Sequence, residues 1–91
     1  MNAQAFTIVF ADYFSIDDFK YLFSDLGIVK EVKVQEAMSG RIRGYTYNIH
    51  MESWTKTGEY FRNDVLESGS VRYCYDDDGC RPLYFICEPI P

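Results

Sequence analysis

The segment that most constrains the fold of this chain is residues 45–52, YTYNIHME, in which large apolar and polar side chains alternate. Side chains on a β-strand point to opposite faces of the sheet in turn. The segment is therefore predicted to be a strand with one buried face and one exposed face. The apolar set is Tyr45, Tyr47, Ile49 and Met51, and the polar set is Thr46, Asn48, His50 and Glu52.

The cost of burial decides which of the two sets faces the core. Burying Thr46, Asn48 and His50 without partners would cost about 1–3 kcal/mol for each polar group. Such a loss is large beside the roughly 5–15 kcal/mol of free energy that separates a folded domain from its unfolded chain. We therefore expect Tyr45 and Tyr47 to point into the protein and the polar set to line the outer surface.

A helix is predicted between Ser15 and Gly27. The Ser15 hydroxyl can accept hydrogen bonds from the free amides of the first turn, and Gly27 can adopt the left-handed conformation that ends helices. Phe14 and Phe19 occupy the two positions of a hydrophobic staple. Apolar residues then recur at helical spacing, at Phe19, Leu22, Phe23 and Leu26.

The other segments complete an α+β pattern. Strands are predicted over 6–10, 29–34 and 45–51, with a longish loop around 39–40, and a second helix over 54–67 that ends at Gly69. Two short strands within 71–86 flank the turn-forming residues 76–79, and Pro89 is expected to stop the pairing. In the first strand Phe6, Ile8 and Phe10 share the heavier face, expected to be the core, and Thr7, Val9 and Ala11 the other. The order predicts one domain, residues 1–91, with a split βαβ arrangement: an antiparallel sheet, two helices on one face and an extra hairpin before the last strand.

Charge and cysteine content limit the possible functions. The 91 residues have a net charge of −5, which disfavours binding through phosphates, although Lys30, Lys33, Arg41 and Arg43 lie close together in sequence. The three cysteines at 74, 80 and 87 form no zinc-site or disulfide pattern, and a reducing, intracellular compartment is expected. Cys74 and Cys80 could still pair across the last hairpin, although free thiols are favoured.

Catalytic and metal-binding patterns are not found in the sequence. His50 has no nucleophile tied to it by a motif, and residues 76–78 lack the closing glutamate of a calcium loop. We therefore expect no enzymatic activity, no cofactor, no metal and no small-molecule substrate. No apolar run approaches the roughly 20 residues of a membrane span, and no basic leader precedes residues 6–10, so a soluble chain is expected.

Several segments resemble the RNA recognition motif (RRM) family. Residues 43–47, RGYTY, follow that family's third-strand signature at four of five positions; residues 22–32 are similar to its passage from first helix to second strand, and residues 81–83 to the entry of its last strand. The resemblance implies a ferredoxin-like fold. It also implies binding of single-stranded RNA by stacking bases on three rings, Phe10, Tyr45 and Tyr47, with Lys30, Lys33, Arg41 and Arg43 as phosphate contacts.

A second resemblance concerns the C-terminal half. The patterns Trp54-x-x-Thr57 and Leu66-x-x-Gly69, with residues 75–77, YDD, resemble small proteins encoded by nucleocytoplasmic large DNA viruses. This implies a virally encoded RRM-like domain, located in the host cell or the virion, with viral or host proteins as partners. It implies no chemistry.

Two functions follow from these observations. The preferred one is protein–protein interaction, self-association included, either at a strand edge or across the outer sheet face formed by Thr7, Val9, Lys33, Thr46, Asn48 and His50. The alternative is binding of single-stranded RNA through Tyr45, Tyr47 and Phe10.

Overall fold

A computed structural model describes residues 4–77 and 82–90, with only the backbone of residues 10, 39, 76, 77 and 82. The described elements are five strands and two helices. They follow the order β1 (Ala5–Ala11), α1 (Ile16–Leu22), β2 (Gly27–Ser39), β3 (Ile42–Trp54), α2 (Lys56–Ser68), β4 (Val71–Asp77) and β5 (Pro82–Pro89).

The five strands form one sheet in the order β2-β3-β1-β5-β4, and every neighbouring pair is antiparallel. Both helices pack on the same face. In α1, Phe19 lies 4.7 Å between ring centroids from Tyr47, and in α2, Phe61 lies 5.3 Å from Phe6. The α+β class, the antiparallel sheet and the two helices are as the sequence predicts.

The core fills the space between the helices and this face of the sheet. The edge strand β4 closes one side of it with Val71, Tyr73 and Tyr75, which are partly buried against it. The Tyr73 hydroxyl donates a hydrogen bond to the Leu22 carbonyl (2.9 Å), which ties β4 to α1. The buried hydrophobic residues of the described chain are mostly aromatic or β-branched: Phe6, Ile8, Phe19, Phe23, Leu26, Val29, Tyr47, Ile49, Met51, Phe61, Val65, Phe85 and Cys87.

The first helix begins where the sequence predicts and ends earlier. The Ser15 hydroxyl accepts a hydrogen bond from the Asp18 amide (3.2 Å), and the Asp18 carboxylate accepts one from the Ser15 amide (2.9 Å). The helix stops at Leu22, and Gly27, predicted to end it, instead opens β2 with a φ of 150°. A side chain at position 27 would collide with the Ser53 carbonyl, so this glycine serves the close approach of β2 to β3.

The hairpin of β2 and β3 is longer and tighter than predicted. Each strand has 13 residues, and Ser39 pairs with Ile42 across a two-residue turn, so the expected longish loop is wrong. Towards the turn both strands contain charged and polar residues whose side chains are exposed, as at Gln35, Glu36 and Arg43. Trp54, predicted to start the second helix, ends β3, and Thr55 caps α2 by accepting a hydrogen bond from the Gly58 amide at 3.0 Å.

A β-bulge in β1 overturns part of the predicted alternation. Ile8 pairs with Tyr47, but Ala11 pairs with Tyr45, so one extra residue is inserted between the two pairs. Ala11, expected on the outer face, therefore packs against the core. The expected burial of the Phe10 side chain lies outside the described residues.

The last two strands, β4 and β5, pair with each other as predicted, but β4 is the one strand added to the split βαβ pattern, so within the described residues no extra hairpin precedes the last strand. The last strand also continues further than predicted. Pro89, expected to stop the pairing, lies in β5 and pairs with Phe6. A proline is accommodated at the end of a strand because only one ladder hydrogen bond is lost there. Cys80 and Asp78, and with them the disulfide and calcium alternatives, lie outside the described residues.

Candidate functional site

Tyr47 lies in the core and holds the segment that leads into α1. Its side chain is 0% exposed. Its hydroxyl donates a hydrogen bond to the Asp12 carbonyl (2.8 Å) and accepts one from the Phe14 amide (2.8 Å). Burial raises the pKa of this phenol above its ordinary value. The ring is therefore a structural element with both of its polar needs met inside the protein.

Tyr45 lies on the same side of the sheet as Tyr47. It is partly buried, and its ring centroid is 5.6 Å from that of Tyr13 and 6.2 Å from that of Tyr47. Both rings thus lie on the helix side of the sheet, as alternation along the strand predicts. The opposite side, which we call the open face, presents other residues.

The strand registers place on the open face five of the six residues predicted for it: Thr7, Lys33, Thr46, Asn48 and His50. The sixth, Val9, lies where the register of β1 is irregular. Asn48 is the centre of this set, since it pairs with Thr7 on one side and with Lys33 on the other. The Thr7 hydroxyl donates to the Tyr47 carbonyl (3.2 Å), which fixes its orientation. The side chains of Asn48 and Lys33 are exposed.

The open face continues onto β5 and β4, where sequence reasoning found no site. Tyr84 and Ile86 are 43% and 38% exposed, whereas the intervening Phe85 is buried. Arg72 pairs with Ile86, and its guanidinium carbon lies 5.0 Å from the centre of the Tyr84 ring. The available signal was the run of apolar residues 83–87, LYFIC, because a strand that is apolar on both faces is typical of coverage on both sides.

A groove of about 340 Å³ lies at one end of the sheet and is lined from both faces, with Tyr84 and Ile86 on the open face and Phe14, Tyr75 and Phe85 on the helix side. Within the described residues, β1 pairs with β5 only from Phe6 to Ile8, and the groove lies beyond this point. Its lining combines apolar and charged side chains, among them Val9, Asp12, Ile42, Arg43, Tyr84 and Ile86. The groove and the open face therefore share Tyr84 and Ile86.

The basic residues proposed as phosphate contacts do not form one patch. Lys33 lies on the open face, whereas Arg43 shares the helix side of β3 with Tyr45. Arg43 also approaches Glu36 at 3.8 Å, and since both side chains are well exposed the pair adds little stability. Lys30 lies at an irregularity of β2, and Arg41 lies in the hairpin turn.

The metal-ligand groups, the cysteines and the helices of the described residues bear on the expectations from the sequence. No group of three or more His, Cys, Asp or Glu residues among them could hold a metal ion. Cys87 is buried, and burial raises the pKa of its thiol to about 12, which keeps it in the unreactive protonated form. Over the part of the chain that the structure covers, neither helix is both long and apolar enough to cross a membrane.

Comparisons with protein-family models, with curated proteins and with solved structures find no match to this chain.

Proposed function

We propose that this chain is a non-enzymatic binding module that engages a protein partner through its open face. The proposal includes the finer fold assignment, a ferredoxin-like, RRM-like arrangement with β4 added at one edge. The strand order β2-β3-β1-β5, antiparallel at every pair and with both helices on one side, supports this assignment. The viral origin and the intracellular location stay predictions.

The observation that supports protein binding most strongly is the composition of the open face. Tyr84, Ile86 and Arg72 form an exposed cluster with the apolar Val9 nearby, and polar side chains surround it along β1 and β3. Tyrosine and arginine next to aliphatic groups are the residues enriched at the centres of protein interfaces, and a polar rim is usual around them.

Single-stranded RNA binding remains the alternative, since residues 43–47 carry the family signature. Its difficulty is the position of the rings. Tyr47 would have to leave the core to stack on a base, and removing a buried aromatic side chain from a core costs roughly 3–5 kcal/mol. The net charge of −5 also opposes the approach of phosphates.

The test is a peptide-library selection with the wild-type chain as bait, followed by binding measurements on three variants. Tyr84→Ala and Arg72→Ala should each weaken the selected peptides about tenfold or more, as interface centres do. Tyr60→Ala, which removes a 64% exposed ring from α2, is the matched control and should bind as the wild type does.

A parallel arm measures binding to a pool of single-stranded RNA at two salt concentrations. We expect no salt-sensitive binding. RNA affinity that disappears in a folded Tyr45→Ala variant, while Tyr84→Ala retains it, would overturn the proposal in favour of the alternative.

A further inference from the structure

The two edges of the sheet differ in how they are protected from pairing. β4 has seven residues, contains a register shift between Cys74 and Asp76, and ends with two aspartates. Short length, bulges and like charges are the usual means of blocking edge-to-edge association. β2 has 13 residues; its register with β3 shifts between Ile28 and Glu31, and it then pairs regularly over nine residues, from Glu31 to Ser39.

The charges along β2 alternate in sign. Lys30, Glu31, Lys33 and Glu36 sum to zero, whereas the whole chain has a net charge of −5. Three large apolar side chains on the same strand are also exposed, at 56% for Ile28, 53% for Val34 and 65% for Met38. β2 is therefore an edge on which a second copy of this chain would meet little electrostatic repulsion.

We propose that two copies of the chain associate through β2, antiparallel, about a two-fold axis that passes beside Val32. The main-chain groups of a strand point alternately to its two neighbours, so a symmetric antiparallel pair must be centred on a residue and not between two residues. The symmetric registers of the regular part of β2 are therefore those centred on one of residues 31–39.

Charge selects one register from that set. When the axis passes beside Val32, Glu31 lies directly opposite Lys33 of the second copy. On the other side of the axis, Lys33 lies opposite Glu31 of the second copy. Centres at Glu31, Lys33 or Glu36 oppose like charges, and centres at Val34 or Gln35 form no opposite-charge pair. Directly opposed charges of opposite sign stabilise a sheet, and like charges destabilise it.

The resulting dimer is a continuous sheet of ten strands. Because the axis is perpendicular to the sheet, both open faces lie on the same side and present two copies of the Tyr84 cluster to one partner surface. This assembly goes beyond the proposed function, since β2 and the Tyr84 cluster lie at opposite ends of the sheet.

The test is sedimentation velocity of the full chain over a wide concentration range, with charge-reversed variants. The wild type should dimerise, and Glu31→Lys and Lys33→Glu should each weaken dimerisation about tenfold or more, because each replaces two attractive pairs by two repulsive ones. A mixture of the two variants restores opposite charges at both pairs and should form a heterodimer. The double variant, E31K with K33E, should dimerise as the wild type does.

Matched charge changes on α2, Glu59→Lys and Lys56→Glu, and the Tyr84→Ala variant should leave the wild-type dimer intact. Thermal melting confirms that each variant is folded, since Glu31 and Lys33 are exposed. A wild type that stays monomeric at every concentration overturns the proposal, as does a dimer that neither single variant weakens or a mixture that fails to associate.

Discussion

The two faces of the sheet use the same strands for opposite purposes. On the helix side, β3 contributes Tyr47 and Ile49 to a core in which both are 0% exposed. On the open face, one residue along, the same strand presents Thr46 and Asn48. The aromatic signature of residues 43–47 therefore marks the packed face of β3. The face that is available to partners presents other residues.

Of the substitutions that test this difference between the two faces, truncation of Tyr47 should cause the largest loss of stability. Tyr47→Ala removes a fully buried ring and should lower the free energy of unfolding by about 3–5 kcal/mol. The matched variant on the other face, Asn48→Ala, should change it by less than about 0.5 kcal/mol. Urea denaturation measures both, and equal losses in the two variants would contradict the assignment of faces.

A methyl group added at Gly58 should have the next largest effect. In α2, Gly58 lies against the Leu26 carbonyl, and a Cβ there would collide with that oxygen. Gly58→Ala should therefore destabilise the protein by about 3 kcal/mol, as overpacking does, although the same change in an unobstructed helix would stabilise it.

Asn63→Ala, at an exposed position of the same helix, is the control and should be neutral or slightly stabilising. Thermal melting of the two variants gives the comparison. A Gly58→Ala variant as stable as Asn63→Ala would mean that α2 does not lie this close to the Leu26 carbonyl.

Alkaline pH should weaken the helix side through Cys87. Its thiol pKa is raised from 9.0 to about 12 in the folded protein because burial disfavours the thiolate. The unfolded chain therefore releases this proton at a lower pH than the folded protein does. The contribution of the protonated Cys87 thiol to the free energy of unfolding is complete below pH 9. It is lost as the pH rises towards 12, by about 1.4 kcal/mol per pH unit.

Cys87→Val removes the titrating thiol. Between pH 9 and 12 the free energy of unfolding of this variant should therefore fall less steeply than that of the wild type, by about 1.4 kcal/mol per pH unit. Asn63→Ala, which removes no titratable group from an exposed position, is the control and should keep the wild-type slope. Urea denaturation at several alkaline pH values measures the difference, and identical slopes for the wild type and Cys87→Val would refute a buried Cys87.

Most of the fold could be predicted because its signals are local. The Ser15 cap, the Phe14 and Phe19 staple and the left-handed Gly69 that ends α2 depend on neighbours a few residues away. Five of the six predicted open-face residues followed from alternation, and the sixth, Val9, lies in the bulge of β1. Tyr84, Ile86 and Arg72 were missed because a strand that is apolar on both faces does not reveal which face is covered.

The set of elements, their order and the buried side of β3 could be predicted from the order of residues, since periodicity and capping act over short distances. The tertiary structure alone decided the bulge before Ala11, the role of Gly27 and the continuation of the open face onto β5. Each of these depends on which distant strand or carbonyl lies alongside, and a pattern along one segment contains no record of that neighbour.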